Sequence, residues 1–157
     1  MSFVADVSIN MPFGTPTHEA LPEASSTLAD YHRMGDGSGA SRFVLFLWMT
    51  GCDFDELERA MAADETIESF EAITDSGDRR LYRLRSVPFS DDGFQLSVFL
   101  RDHDVTLYEA FRDREGLHIQ GLFPTRESLH ALKDAVKEDD GWFRLNSVYS
   151  ENSFDPG

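Results

Sequence analysis

An α+β domain, with an antiparallel sheet and helices packed on one face, is the fold that this sequence predicts. Three observations point to it. Runs of period-two alternation recur along the chain, and they come in pairs joined by the turn sequences DSGD (Asp75 to Asp78) and DREG (Asp113 to Gly116). Each pair is followed by a stretch with apolar residues at helical spacing. From Phe43 the order is strand, helix, strand, strand, helix, strand, the split βαβ or ferredoxin-like order, and a hairpin, helix and strand then occur a second time. A chain of 157 residues fits one domain, or two small subdomains sharing a core.

Each element has a local reason. Phe3, Ala5, Val7 and Ile9 alternate with small or polar neighbours, as in a half-buried strand. Pro12, Gly14, Pro16 and Pro22 break regular structure after it. A weaker strand covers Ser26 to Arg33, and GDGSGAS, from Gly35 to Ser41, reads as a flexible loop. Phe43 to Met49 is apolar on both faces, which predicts a central strand covered on both sides. Asp53 with Glu56 three residues on forms a capping-box pattern, and Phe54, Leu57 and Met61 share the face of a helix ending near Ala63, with Arg59 and Asp64 away from that face.

Glu68 to Thr74 and Arg79 to Val87 then form a hairpin stopped by Pro88. The acidic start at Ser90, Asp91 and Asp92 favours a helix over FQLSVFL, with Leu96, Phe99 and Leu100 on one face. Val105 to Arg112 and Leu117 to Phe123 make a second hairpin. Thr125 is a good N-cap for a helix whose stripe is Leu129, Leu132 and Val136; Lys133 and Lys137 lie in its second half, where cations suit the macrodipole. Gly141 is the expected stop, Trp142 to Tyr149 the last strand, and 151–157 a frayed tail.

Charge narrows the setting. There are 29 acidic against 14 basic residues, a formal net charge of −15, and the only lysines are Lys133 and Lys137. Self-repulsion of that size destabilises a compact chain in dilute buffer. At about 1 M salt the screening length falls to roughly 3 Å, so the composition suits a protein of concentrated brine, as in a halophilic archaeon. Such a surface argues against direct nucleic-acid binding, which needs clustered cations. The one basic cluster is Arg79, Arg80, Arg83 and Arg85, and alternation gives Arg83 and Arg85 a solvated strand face. No apolar run approaches the ~20 residues needed to span a bilayer, and the N-terminus lacks a secretory pattern, so a cytoplasmic protein with no membrane partner is expected.

Chemistry is sparse in the sequence. P-loop, GxGxxG, GxSxG and HExxH patterns are absent. Cys52 reads as a small semi-buried residue after a strand, and a single cysteine excludes a disulfide framework. None of His18, His32, His103, His118 and His130 has a partner at helical metal-ligand spacing. Trp48 and Trp142 fall in strands and are expected in the core; with Phe99, Tyr108 and Phe123 they would be the aromatic lining of any pocket. No catalytic residue, no metal ligand and no cofactor is assigned, and pocket residues stay unassigned.

Five segments together carry a likeness: HEALPEASSTLADYHRM, VLFLWMTGCDFDELERAMAADETIESFEAI, DRRLYRLR, GLFPTRESLHALKDAV and RLNSVY. They resemble the N-terminal domain of bacterio-opsin-activator (Bat)-type regulators of halophilic archaea, over roughly residues 3 to 150. The most specific part is the D-x-x-x-x-E-S-F pattern from Asp64 to Phe70. The resemblance implies a sensor or regulatory domain over 1–150 and a non-enzymatic role in transcription. It also implies a helix-turn-helix domain beyond the 151–157 linker that this chain does not contain. DNA would be met only through that domain. A homodimer and a small-molecule effector are the partners implied, and the segments Val105 to Arg112 and Trp142 to Tyr149 are the edges offered for self-association. Two alternatives stand beside this: a stand-alone protein-interaction module, and a small α+β enzyme with His103, His118 and Tyr108 as first suspects.

The charge argument makes a direct prediction. Moved from molar to millimolar KCl, the chain loses ordered structure, seen as a lower melting temperature and weaker far-ultraviolet circular dichroism; unchanged values across that range would count against a brine-adapted surface.

Overall fold

The computed structural model describes residues 2–35, 37–90 and 92–150. Asp91 and the tail expected at 151–157 lie outside the described residues. In chain order the elements are β1 (Phe3–Ile9), α1 (Thr15–Ala20), β2 (Ser25–Gly35), β3 (Ala40–Thr50), α2 (Phe54–Ala63), β4 (Ile67–Ser76) and β5 (Arg79–Ser86). They continue with β6 (Phe89–Ser90), α3 (Leu96–Asp102), β7 (Thr106–Asp113), β8 (Gly116–Phe123), α4 (Arg126–Glu138) and β9 (Phe143–Ser150). The class is α+β and sheet-dominated, and the registered strand pairs are antiparallel.

The chain divides into two units. One, here the inserted unit, comprises Met11–Asp92 and Phe111–Gly116; the other, the split unit, comprises Met1–Asn10, Gly93–Ala110 and Leu117–Gly157. The inserted unit runs β4-β5-β3-β2, and the last residues of β7 pair with β2 through Ser26↔Arg112 and Thr27↔Phe111. Leu47 and Met49 of β3 share a sheet face with Tyr82 and Leu84 of β5 and Phe70 of β4. Leu57 and Met61 from α2, with Leu21 and Ala24 from the segment after α1, complete a core on that face. Both helices of this unit therefore serve one side of its sheet. The expectation that Phe43 to Met49 is covered on both sides is corrected: β3 is central, but Arg42 to Trp48 are only half-buried.

The split unit runs β7-β8-β1-β9. Phe3, Ala5, Val7 and Ile9 face the same way as their partners Phe123, Gly121, Ile119 and Leu117 on β8. Phe3 and Phe123 stack with ring centroids 6.0 Å apart. Phe99 and Leu100 of α3 and Leu132 and Val136 of α4 are buried in the same unit. Gly121 sits where a Cβ would come within 3.3 Å of the Thr106 carbonyl and of Val105 Cγ1, so a bare backbone keeps β8 close to the start of β7.

Several local expectations need correction. The proline-rich stretch after β1 holds α1, because Pro16 lies in the first helical turn, where a missing N–H costs nothing. The loop expected from Gly35 to Ser41 is shorter: β2 runs to Gly35 and β3 begins at Ala40, and between them Gly37 and Gly39 take φ of 80° and 89°. Asp53 caps α2 by accepting from the Glu56 N–H at 3.0 Å. α3 begins at Leu96, later than the acidic start suggested, and has no side-chain cap. α4 carries a full capping box, but its partner is Ser128, which is buried while Leu129 is only half-buried.

The end of α4 shows why Gly141 is there. The left-handed position is taken by Asp140, at φ 60°. The Gly141 N–H reaches the Val136 carbonyl at 2.9 Å and the Asp140 N–H the Lys137 carbonyl at 3.1 Å, the Schellman pattern. A Cβ at 141 would collide with Asn10 Oδ1 and lie 2.9 Å from the Val136 oxygen. Gly141 is thus required by close approach, not by torsion. Gly141→Ala should cost about 1–3 kcal/mol by overpacking, read as a lower urea midpoint; an unchanged midpoint would show that the junction relaxes freely.

Candidate functional site

The residues suspected from sequence are engaged locally. His103, at the C-terminal end of α3, stacks on Phe99 with centroids 4.0 Å apart and contacts the Phe99 carbonyl through Nδ1 at 3.1 Å. His118, on β8, holds Ser8 Oγ at 2.6 Å. Tyr108 stands 55% exposed on β7. Burial pushes the Cys52 thiol up, and the carboxylates of Glu23, Asp53 and Glu56 add to it, so its nucleophilic form is disfavoured. The tryptophans correct the expectation of core positions: Trp142 is exposed, and Trp48 is half-buried beneath the Arg79 guanidinium, which lies 4.0 Å above its ring. Trp48 also belongs to the inserted unit, apart from Phe99, Tyr108 and Phe123 of the split unit.

A different group of residues converges inside the inserted unit. Asp64, just after α2, is only 2% exposed, where the helical pattern had put it on the outer side. Its Oδ2 accepts from the Thr17 N–H at 3.1 Å and the Thr17 hydroxyl at 2.6 Å. Its Oδ1 accepts from the Thr66 N–H at 2.9 Å and the Thr66 hydroxyl at 2.6 Å. The Thr66 hydroxyl oxygen in turn accepts from the Gly14 N–H at 2.8 Å. Four donors on one buried carboxylate meet the condition under which such a group is tolerated.

His18 and Arg112 flank this network. Arg112 donates to the Met11 carbonyl at 2.7 Å and to Thr15 Oγ1 at 3.1 Å, while its Nε finds no partner. Burial draws its guanidinium down to about 10, against the pull of Asp113 and Asp64. His18 is 5% exposed, hydrogen-bonds the Ala24 backbone and leaves Nδ1 unsatisfied. Burial first, and the Arg112 charge second, lower its pKa to about 4. The cluster is a latch that fastens residues 11–18 to the end of α2 and to β7, with a neutral imidazole at its flank.

The opposite face of the same sheet is open and basic. Register places Val44, Phe46 and Trp48 of β3 beside Arg85, Arg83 and Leu81 of β5. Arg83 pairs with Glu71 at 2.6 Å and Arg42 with Glu68 at 3.2 Å. Arg80 points to the other face, where it bridges Glu58 and Asp75 at 2.9 Å each and lies 4.6 Å over the Phe54 ring. The solvated arginine face expected from alternation is therefore present, in a half-apolar setting.

A protein-family model described as BAT, the GAF and HTH_10 associated domain, matches residues 17–149. The chain belongs to the BAT family. The likeness to Bat-type regulators read from the sequence is thereby shown. No curated protein and no solved structure matches the chain. The matched span of the BAT domain opens at Thr17 and takes in Asp64, Thr66 and Arg112, but leaves β1 outside. Among the described residues, no helix is long and apolar enough to cross a membrane.

Sequence reasoning missed the latch because its members lie far apart and none forms a motif. The one local signal was Asp64-x-Thr66, a pair able to close an Asx turn. The lowered pKa of His18 has a definite sign. The unfolded chain takes up a proton near pH 6.5 that the folded BAT domain refuses until about pH 4. Stability is therefore full above about 6.5 and falls as pH drops toward about 4, by up to ~3 kcal/mol. His18→Gln should flatten the fall in urea midpoint between about pH 7 and 5; parallel profiles for the two proteins would exclude a neutral buried imidazole.

Proposed function

We propose that this BAT domain is the regulatory part of a DNA-binding transcriptional regulator of the cytoplasm, working in concentrated salt. Its task is sensing, or pairing of copies, with DNA contacted through an associated helix-turn-helix module. The observation that carries the reading is the family match, whose description ties the domain to GAF and HTH_10 modules. Effector binding or self-association would bias the spacing of attached DNA-reading domains, which read paired half-sites.

The residues support a binding role over catalysis. His103 and His118 are committed to ring stacking and to Ser8, and the Asp64 carboxylate of the latch already accepts four hydrogen bonds. The net charge of −15 and the near-absence of lysine support a brine setting. The run from Phe43 does not keep the ferredoxin-like order expected of it, because β2 lies beside β3; β1, α3, β7, β8, α4 and β9, with strand order β7-β8-β1-β9, support such an arrangement over other elements, with most of the inserted unit between β1 and α3.

Deleting the gene region for residues 17–149 in the native host and profiling transcripts tests this. A reproducible set of altered transcripts, restored by the intact gene, is expected; an unchanged profile would remove the regulatory reading.

A further inference from the structure

The two ends of the strand order are treated differently. β4 is an edge guarded by Glu68, Glu71 and Asp75, all ion-paired, and interrupted by irregularities near Glu68 and Ile73. Charges and bulges of that kind are how proteins protect an edge from another strand. β9 carries one such irregularity, opposite Asp6 and Val7, but no acidic guard among its described residues. Residues 141–150 contain no carboxylate, in a chain with 29, and the one charge is Arg144. Leu145 is 46% exposed and Val148 48%, with Trp142 and Tyr149 also exposed.

The pairing of β9 with β1 adds a geometric clue. Asp6 opposes Ser147 while Val7 opposes Leu145, so Asn146 is an extra residue. A bulge shifts the side-chain alternation by one. Leu145 and Val148, three apart, consequently share one face, that of Val7 and Ala5, while Arg144 and Tyr149 share the other.

We propose that β9 pairs antiparallel with β9 of a second copy about a two-fold axis through the bulge, so that Leu145 faces Val148 of the other copy and Arg144 faces its Tyr149. Without the bulge this register would set opposed side chains on opposite faces; with it, every opposed pair lies on one face. Four half-exposed aliphatic side chains become neighbours, and each guanidinium meets an aromatic ring. The two Arg144 groups end about 14 Å apart along the strands, since Arg144 and Tyr149 oppose Ser8 and Val4, four residues apart on β1. Two copies of an acidic chain repel, so a contact between them favours the edge that carries no acid. Val105 to Arg112, the other segment offered by the sequence, is less suited: Phe111 and Arg112 already pair with β2, and Glu109 adds an acid.

This rests on the reading of the BAT domain as a paired regulatory module, and deepens it by naming the partner and the register. Light scattering of the full chain in molar KCl should give a dimer at tens of micromolar. Leu145→Glu with Val148→Glu should give a folded monomer, with dimer affinity reduced at least tenfold. In a Cys52→Ser background, Leu145→Cys and Val148→Cys proteins should form a disulfide when mixed and not when oxidised separately. Amide exchange on the unaltered chain should show protection at successive β9 residues rather than at alternate ones. A monomeric wild type, a dimer that survives the double glutamate change, or cross-linking of each cysteine variant alone would overturn the proposal. A monomer whose deletion still alters transcripts would sink the pairing and spare the regulator; a dimer whose deletion alters none would do the reverse.

Discussion

One buried carboxylate holds the inserted unit in order. α1 is six residues long, far too short to persist alone, and lacks a side-chain cap of its own. Asp64 supplies from a distance what the local sequence does not, taking the Thr17 amide and hydroxyl while Thr66 takes the Gly14 amide. The segment that follows then delivers Leu21 and Ala24 to the core shared with Leu57 and Met61. Hydrogen bonding and apolar packing are therefore not independent here: the polar latch sets the angle at which the apolar residues arrive. An unsatisfied group at such a depth costs about 1–3 kcal/mol, so the geometry is all-or-none.

The scarcity of lysine also has a local logic. Arg79 lies over Trp48 and Arg80 over Phe54, and Arg80 at the same time reaches two carboxylates. A planar, forked cation can stack and bridge together; an ammonium point charge cannot. Arginine thus serves both faces of this sheet, Arg79 over Trp48 on one and Arg80 against α2 on the other.

How legible all this was in the sequence depends on range. The antiparallel hairpins at DSGD and DREG, α2 with its Asp53 cap and α4 with its Thr125 cap follow from short-range chemistry and were readable within a residue or two. α1 was hidden because prolines signal breaks unless they fall in a first turn. The covering of β3 was misjudged because an apolar run does not say which face receives a helix. Asp64, His18 and Arg112 were invisible as a group. A charged residue after a helix reads as solvated until Thr17, 47 positions earlier, is known to be beside it. The strand order, with β2 beside β3 and β1 between β8 and β9, is likewise a long-range fact.

That placement of β1 bears on how the molecule comes to exist. β1 leaves the ribosome before the other strands described here, yet both of its neighbours lie beyond residue 115. At 5–20 residues per second, more than a hundred codons separate them, so roughly 5–20 s pass before β1 can be paired. Most of the inserted unit emerges in that interval and can begin to fold, while a largely apolar ribbon of seven residues waits, open to chaperones or to rival nascent chains. Translation speed across the middle of the message thereby becomes a determinant of yield.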